Sequence, residues 1–112
     1  MNPLDLLPSR IAQKSISSQE VALPIAEALE AIDVFEAKGL LILGWEGWVK
    51  DQDGRVGHGS APQGTTSLDR LSVAQAAQFC RDTIQVEAEK WHLAFPATTN
   101  LLYFCITVND VA

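Results

Sequence analysis

Residues 40–58 read LLILGWEGWVKDQDGRVGH. An apolar run leads into Trp45-Glu46-Gly47-Trp48, then into a polar turn closing on Asp53-Gly54, and the chain returns through Arg55 to His58. Asp-Gly between two extended limbs is a strong short-range hairpin signal, because glycine takes the positive φ that tight turns demand. The stretch is therefore expected to be a β-hairpin, with a first strand over 40–49 and a short return strand over 55–58. Alternation puts Leu41, Leu43, Trp45, Gly47 and Val49 on one face and Leu40, Ile42, Gly44, Glu46 and Trp48 on the other. Gly44 and Gly47 mark a bulge or a place where another backbone comes close.

Upstream, Ile25, Ala28, Leu29, Ile32 and Phe35 fall at helical spacing over residues 24–38 and form one apolar stripe. Pro24 suits a helix's first turn, and Lys38-Gly39 supplies a terminal cation and a glycine for a left-handed close. Before it, residues 1–23 read as a lead-in packed on the domain. Pro3 and Pro8 discourage a continuous helix, while Ser17 and Glu20 have the spacing of a capping box for a short turn. Residues 24–112 are expected to form a single domain.

Downstream, residues 59–67 are turn formers and small polar residues, a surface loop. Ser72 and Gln75 then form a second capping box. Val73, Ala77, Cys80, Ile84, Ala88, Trp91 and Phe95 follow at spacings near 3.6, with Phe79, Val86 and Leu93 expected to widen the buried face. Pro96 ends the helix. Residues 101–108, LLYFCITV, are apolar on both alternating faces, so both sides of that last strand are expected to be covered. The order is helix, strand, strand, helix, strand: an α+β fold, with a small antiparallel sheet in the order 2-1-3 and two helices on one face. Such a sheet leaves edges, so the last strand is expected to recruit the lead-in or a second copy of the chain.

A length of 112 residues fits one domain that buries roughly 60–70% of its unfolded surface. Eight Lys and Arg face fourteen Asp and Glu, for a net charge of -6. That balance argues against nucleic-acid binding through phosphates and against an anionic membrane surface, and favours a basic protein partner. The segment MNPLDLLPSR lacks a basic start followed by a long apolar run, and no stretch reaches the ~20 apolar residues of a membrane span, so a cytoplasmic location is expected. Cys80 and Cys105 lack C-x-x-C spacing and read as free buried thiols.

No catalytic, cofactor or metal signature stands out. Glu46 and His58 are the minimum for general-base chemistry if the hairpin joins them, but no nucleophile or oxyanion donor accompanies them. The two histidines, two cysteines and scattered acids lack metal-ligand spacing. Binding residues are better marked. Trp48 offers an aromatic anchor among Glu46, Asp51, Asp53, Arg55 and His58 on the hairpin. Glu27, Glu30, Asp33 and Glu36 make an acidic outer face on the first helix, which solvation alone would also explain.

The helix-to-Gly39 junction, the Gly-x-x-x-Leu-Gly-x-Glu-x-Trp segment from Gly39 to Trp48, the polar hairpin and the second helix resemble the small immunity proteins of bacterial polymorphic-toxin and contact-dependent inhibition systems, the immunity protein 40 type among them. The resemblance implies a non-catalytic protein that binds a cognate toxin and blocks it. Toxins acting on nucleic acids tend to be basic, so an acidic inhibitor would be steered to them. Two other readings stand beside it: a small ligand-binding or enzymatic domain using Glu46 and His58, and a module that self-associates through the last strand.

Overall fold

The computed structural model describes residues 2–65 and 67–109. A 3-10 helix (Pro3–Leu6) and a single helical turn, α1 (Ser9–Ala12), open the chain. Strand β1 (Val21–Leu23), helix α2 (Ile25–Ala37), the hairpin β2 (Ile42–Lys50) and β3 (Val56–Gly57), helix α3 (Val73–Ala94) and strand β4 (Leu101–Val108) follow. The fold is α+β with an antiparallel sheet, but among the described residues the sheet has four strands in the order β1-β4-β2-β3 and the α-helices number three. The expected order 2-1-3 is corrected because Val21–Leu23, three residues inside the supposed lead-in, form a strand on the far side of β4.

β4 is consequently an interior strand, bound to β1 through Ile106, Cys105 and Phe104 and to β2 along its length. Self-pairing along the last strand, as expected from sequence, finds that edge occupied over Phe104–Ile106. Two further edges are flanked from within the chain. Ile16 N–H donates to the Ala22 carbonyl (3.0 Å) and Ala22 N–H to Ser15 Oγ (3.1 Å), so the lead-in flanks β1. Within 61–68, residues 61–65 and 67–68 flank β2 below the short β3, with Gly47 N–H donating to Pro62 O (3.1 Å), Thr65 N–H to Trp45 O (3.0 Å) and Leu68 N–H to Leu43 O (2.8 Å). The expected surface loop is thus an edge cover that shields unpaired strand groups.

α2 ends as its sequence dictates. Gly39 takes φ +73, Leu40 N–H donates to Phe35 O and Gly39 N–H to Glu36 O, the paired bonds of a Schellman close. Its start differs slightly, because Pro24 is the extended N-cap rather than a first-turn residue. The first capping box nucleates no helix: Ser17 Oγ accepts from the N–H groups of Gln19 and Glu20 (both 3.1 Å) in a bend before β1. The second is complete, with Gln75 N–H donating to Ser72 Oγ (3.1 Å) and Ser72 N–H to Gln75 Oε1 (3.0 Å).

One face of the sheet packs against α2 and α3 through Val21, Leu23, Trp45, Val49, Leu102, Phe104 and Ile106, with Ile11 and Leu7 of the lead-in closing the core. Trp45 meets Phe104 edge-on (5.2 Å between centroids) and its Nε1 donates to Thr83 Oγ1 (2.8 Å). Strict alternation fails at the start of β2. A register shift between Ile42 and Gly44 lets Ile42 join Trp45 in the core, which alternation alone forbids. The stripe on α3 is narrower than its sequence suggests: Phe79, Val86 and Leu93 are 43%, 49% and 74% exposed, and Phe95 just beyond the helix is also exposed. Two apolar stripes share the helical period, and only the one through Cys80, Ile84, Ala88 and Trp91 faces the sheet.

Candidate functional site

Glu46, Trp48 and Lys50 alternate away from the helices onto the opposite face of the sheet. There they stand beside Cys105, Tyr103 and Leu101 of β4, their register partners. Trp48 is half-buried and fixed on two sides. Its Nε1 donates to Glu46 Oε1 (3.0 Å), and the His58 ring stands edge-on to it, at 90° with centroids 6.1 Å apart. His58 Nδ1 lies 3.2 Å from Gly47 O. A carbonyl only accepts, so Nδ1 carries the proton and in the neutral ring Nε2 keeps the lone pair.

Gly47 is required at the centre of this arrangement. A β-carbon there would stand 2.6 Å from Pro62 O, so only glycine lets the 61–68 cover lie against β2. Gly64 serves the same end, with φ +89 and an ideal β-carbon position 2.0 Å from Trp45 O. The cover and the strand enclose an open cleft of about 420 Å³ lined by Glu46, His58, Gly59, Ala61, Pro62 and Gln63. The structure therefore brings Glu46, Trp48 and His58 together beside a concavity, but the Glu46 carboxylate engages the indole and the imidazole engages backbone. Among the described residues the two share no hydrogen bond.

The hairpin turn uses its charges internally. Asp51 Oδ1 accepts from the N–H groups of Asp53 and Arg55 (both 2.9 Å), its Oδ2 accepts from Arg55 Nε (3.1 Å), and Arg55 Nη2 reaches Asp53 Oδ2 (3.0 Å). The Arg55 backbone N–H holds the Asp51 carboxyl below its usual range. Partial burial opposes this, while the Asp53 N–H and the Arg55 guanidinium add to it. Asp51, Asp53 and Arg55 thus form an internally paired turn that keeps one net negative charge.

The acidic face of α2 is likewise engaged. Arg81 of α3 bridges Asp33 (2.9 Å) and Glu36 (2.7 Å), and Arg10 of the lead-in pairs with Glu30. Of the four acids expected to face a partner there, Glu27 alone has no ion pair among the described residues. These bridges span 20 to 48 residues of sequence, so helical spacing could not announce them.

No protein-family model matches the chain, and no curated protein or solved structure matches it either. Among the described residues, no group of three or more His, Cys, Asp or Glu side chains is placed to hold a metal ion, and no helix is long and apolar enough to cross a membrane. Sequence reasoning missed the exposed α3 stripe of Phe79, Val86 and Leu93. A spacing of seven residues was its signal, and a single helical period cannot say which of two stripes is covered.

Proposed function

We propose that this chain is an immunity-type inhibitor: an acidic binding protein that occupies a basic protein toxin made by the same cell and blocks it. One observation carries the reading. Trp48 is held half-exposed between Glu46 and His58 on the sheet face opposite the helices, a rigid aromatic anchor with a carboxylate beside it. Large aromatic side chains whose rotamer is already fixed lose little entropy on docking, and they dominate interface energetics. The net charge of -6 supports steering toward a basic partner.

The test is co-expression with the toxin encoded beside this chain. Growth is restored by the wild-type chain, and Trp48→Ala weakens the complex by about 30-fold or more, as truncating a central anchor does. The complex also loosens as salt is raised. If cells carrying both proteins still die, or if Trp48→Ala binds as wild type does, the reading fails.

A second reading is favoured by the cleft itself. Glu46 and His58 both line its 420 Å³, so a small polar ligand held between the carboxylate and His58 Nε2 is the alternative. His58→Ala would abolish binding of such a ligand.

A further inference from the structure

β1 is too short for the strand it pairs with. It covers Phe104, Cys105 and Ile106 of β4, and the chain then turns at Pro24 into α2, leaving Leu101–Tyr103 with no paired strand on that side among the described residues. Backbone directions follow from the hydrogen bonds. Both backbone groups of Ala22 face Ser15 and Ile16, away from β4. Alternate residues of an antiparallel pair direct their N–H and C=O to the same side, so Val21 and Leu23 bond β4 through Ile106 and Phe104. The next residue of that series along β4 is Leu102.

The other edge gives the same parity. Trp45 and Gly47 bond the 61–68 cover, so Glu46, Trp48 and Lys50 bond β4 through Cys105, Tyr103 and Leu101. Leu102 N–H and C=O therefore point past the end of β1, and neither has a partner among the described residues.

A cavity of about 270 Å³ lies at this place, lined by Pro24, Ile25, Ala88, Trp91, Leu102 and Phe104 among others. Leu101 and Tyr103, whose side chains belong to the opposite face of the sheet, line it too, so it opens onto the strand's edge. Trp91 is 5% exposed, and its Nε1 is a buried donor without an acceptor among the described residues. One missing strand residue accounts for the free backbone pair and the apolar space together.

We propose that this notch binds one residue of an extended peptide, whose backbone continues the β1 ladder on Leu102 and whose apolar side chain fills the cavity over Ala88 and Trp91. Cross-strand partners share a face, so a residue paired with Leu102 directs its side chain toward α3, where the cavity is. The recognition is strand addition, with backbone bonds for affinity and one apolar pocket for selectivity. The notch lies across β4 from the hairpin and does not depend on the toxin-binding reading.

The test titrates the ¹⁵N-labelled chain with N-acetyl-leucine N-methylamide. The Leu102 amide resonance moves downfield in a saturable way, with a dissociation constant on the order of millimolar, the scale of two hydrogen bonds and one small side chain set against association costs. The analogue methylated on the leucine nitrogen, which cannot donate to Leu102 O, binds at least about fivefold more weakly. Ala88→Leu fills the cavity and abolishes the shift. Should that variant fail to fold, hydrogen exchange on the wild-type chain serves instead: the Leu102 amide exchanges faster than that of Tyr103 and is slowed by the probe. A Leu102 amide that never moves overturns the proposal. So do equal affinities of the two probes, which would leave an apolar cavity without strand pairing, and an exchange rate that the probe leaves unchanged.

Discussion

Pro62 lies directly over Gly47, its carbonyl oxygen 2.6 Å and its Cδ 2.8 Å from where a Gly47 side chain would begin. Backbone cannot yield as the tip of a flexible side chain can. Gly47→Ala should therefore push the 61–68 cover off β2, break the Gly47 N–H to Pro62 O bond and cost about 1–3 kcal/mol. A urea titration reads the cost as a lower midpoint, and loss of order in the cover should carry His58 away from Trp48.

Thr83→Val keeps the shape of the side chain and removes the acceptor that Trp45 Nε1 uses. Trp45 is buried, so its N–H is left without a partner, and a loss of about 1–2 kcal/mol is expected. Urea denaturation of the two proteins side by side gives the difference, and Thr83→Ser, which restores the oxygen, should recover much of it.

Arg81 is 20% exposed on its side chain and holds two carboxylates of the neighbouring helix. Arg81→Met retains most of the stem and abandons both pairs. Because Asp33 is largely exposed, solvent screening discounts its share, and a loss of about 1 kcal/mol is expected, shrinking as salt is raised. Equal losses at low and high salt would show that packing of the stem carries the effect.

The thiols of Cys80 and Cys105 are pushed up from 9.0 to about 11 and about 12. Burial is the main cause in both. Arg81 offsets it slightly at Cys80, and the carboxylates of Glu20 and Glu46 add to it at Cys105. Such thiols stay neutral in the fold after those of the unfolded chain have ionised. Their contribution to stability is whole below pH 9 and is lost as pH climbs through about 11 to 12. The folded protein should resist a thiol-reactive dye at pH 8 and react at both positions once denatured.

Leu93→Gln and Val86→Gln should change stability by no more than about 0.5 kcal/mol, whereas Ile84→Ala, on the covered stripe of the same helix, should cost about 2–4 kcal/mol. Thermal or urea unfolding of the three variants separates the two stripes directly.

What could be read from sequence was what local chemistry decides. The glycine close of α2, the capping box of α3 and the Asp-Gly hairpin each rest on residues within a few positions of one another. That the last strand recruits the lead-in was expected from its bare edge, but which residues do so was not legible, because Val21-Ala22-Leu23 is too short to show a period and becomes a strand only through β4, more than eighty residues later. The bulge that brings Ile42 into the core is set by pairing with Val108, also remote in sequence. At the candidate site, the grouping of Glu46, Trp48 and His58 followed from the hairpin. The diversion of the carboxylate to the indole did not, since it depends on how Trp48 is turned. Neither did the bridging of the α2 acids by Arg81 and Arg10.

The strand at the middle of the sheet is also the last of its elements to leave the ribosome. Until residues 101–108 emerge, β1 has no strand of the sheet to pair with, the hairpin lacks its main neighbour, and the core faces of both long helices lack Leu102, Phe104 and Ile106. Assembly during synthesis must therefore wait for the C-terminal strand. A nascent chain stalled near residue 100 should be a chaperone client, whereas one released past 108 should quickly cease to be.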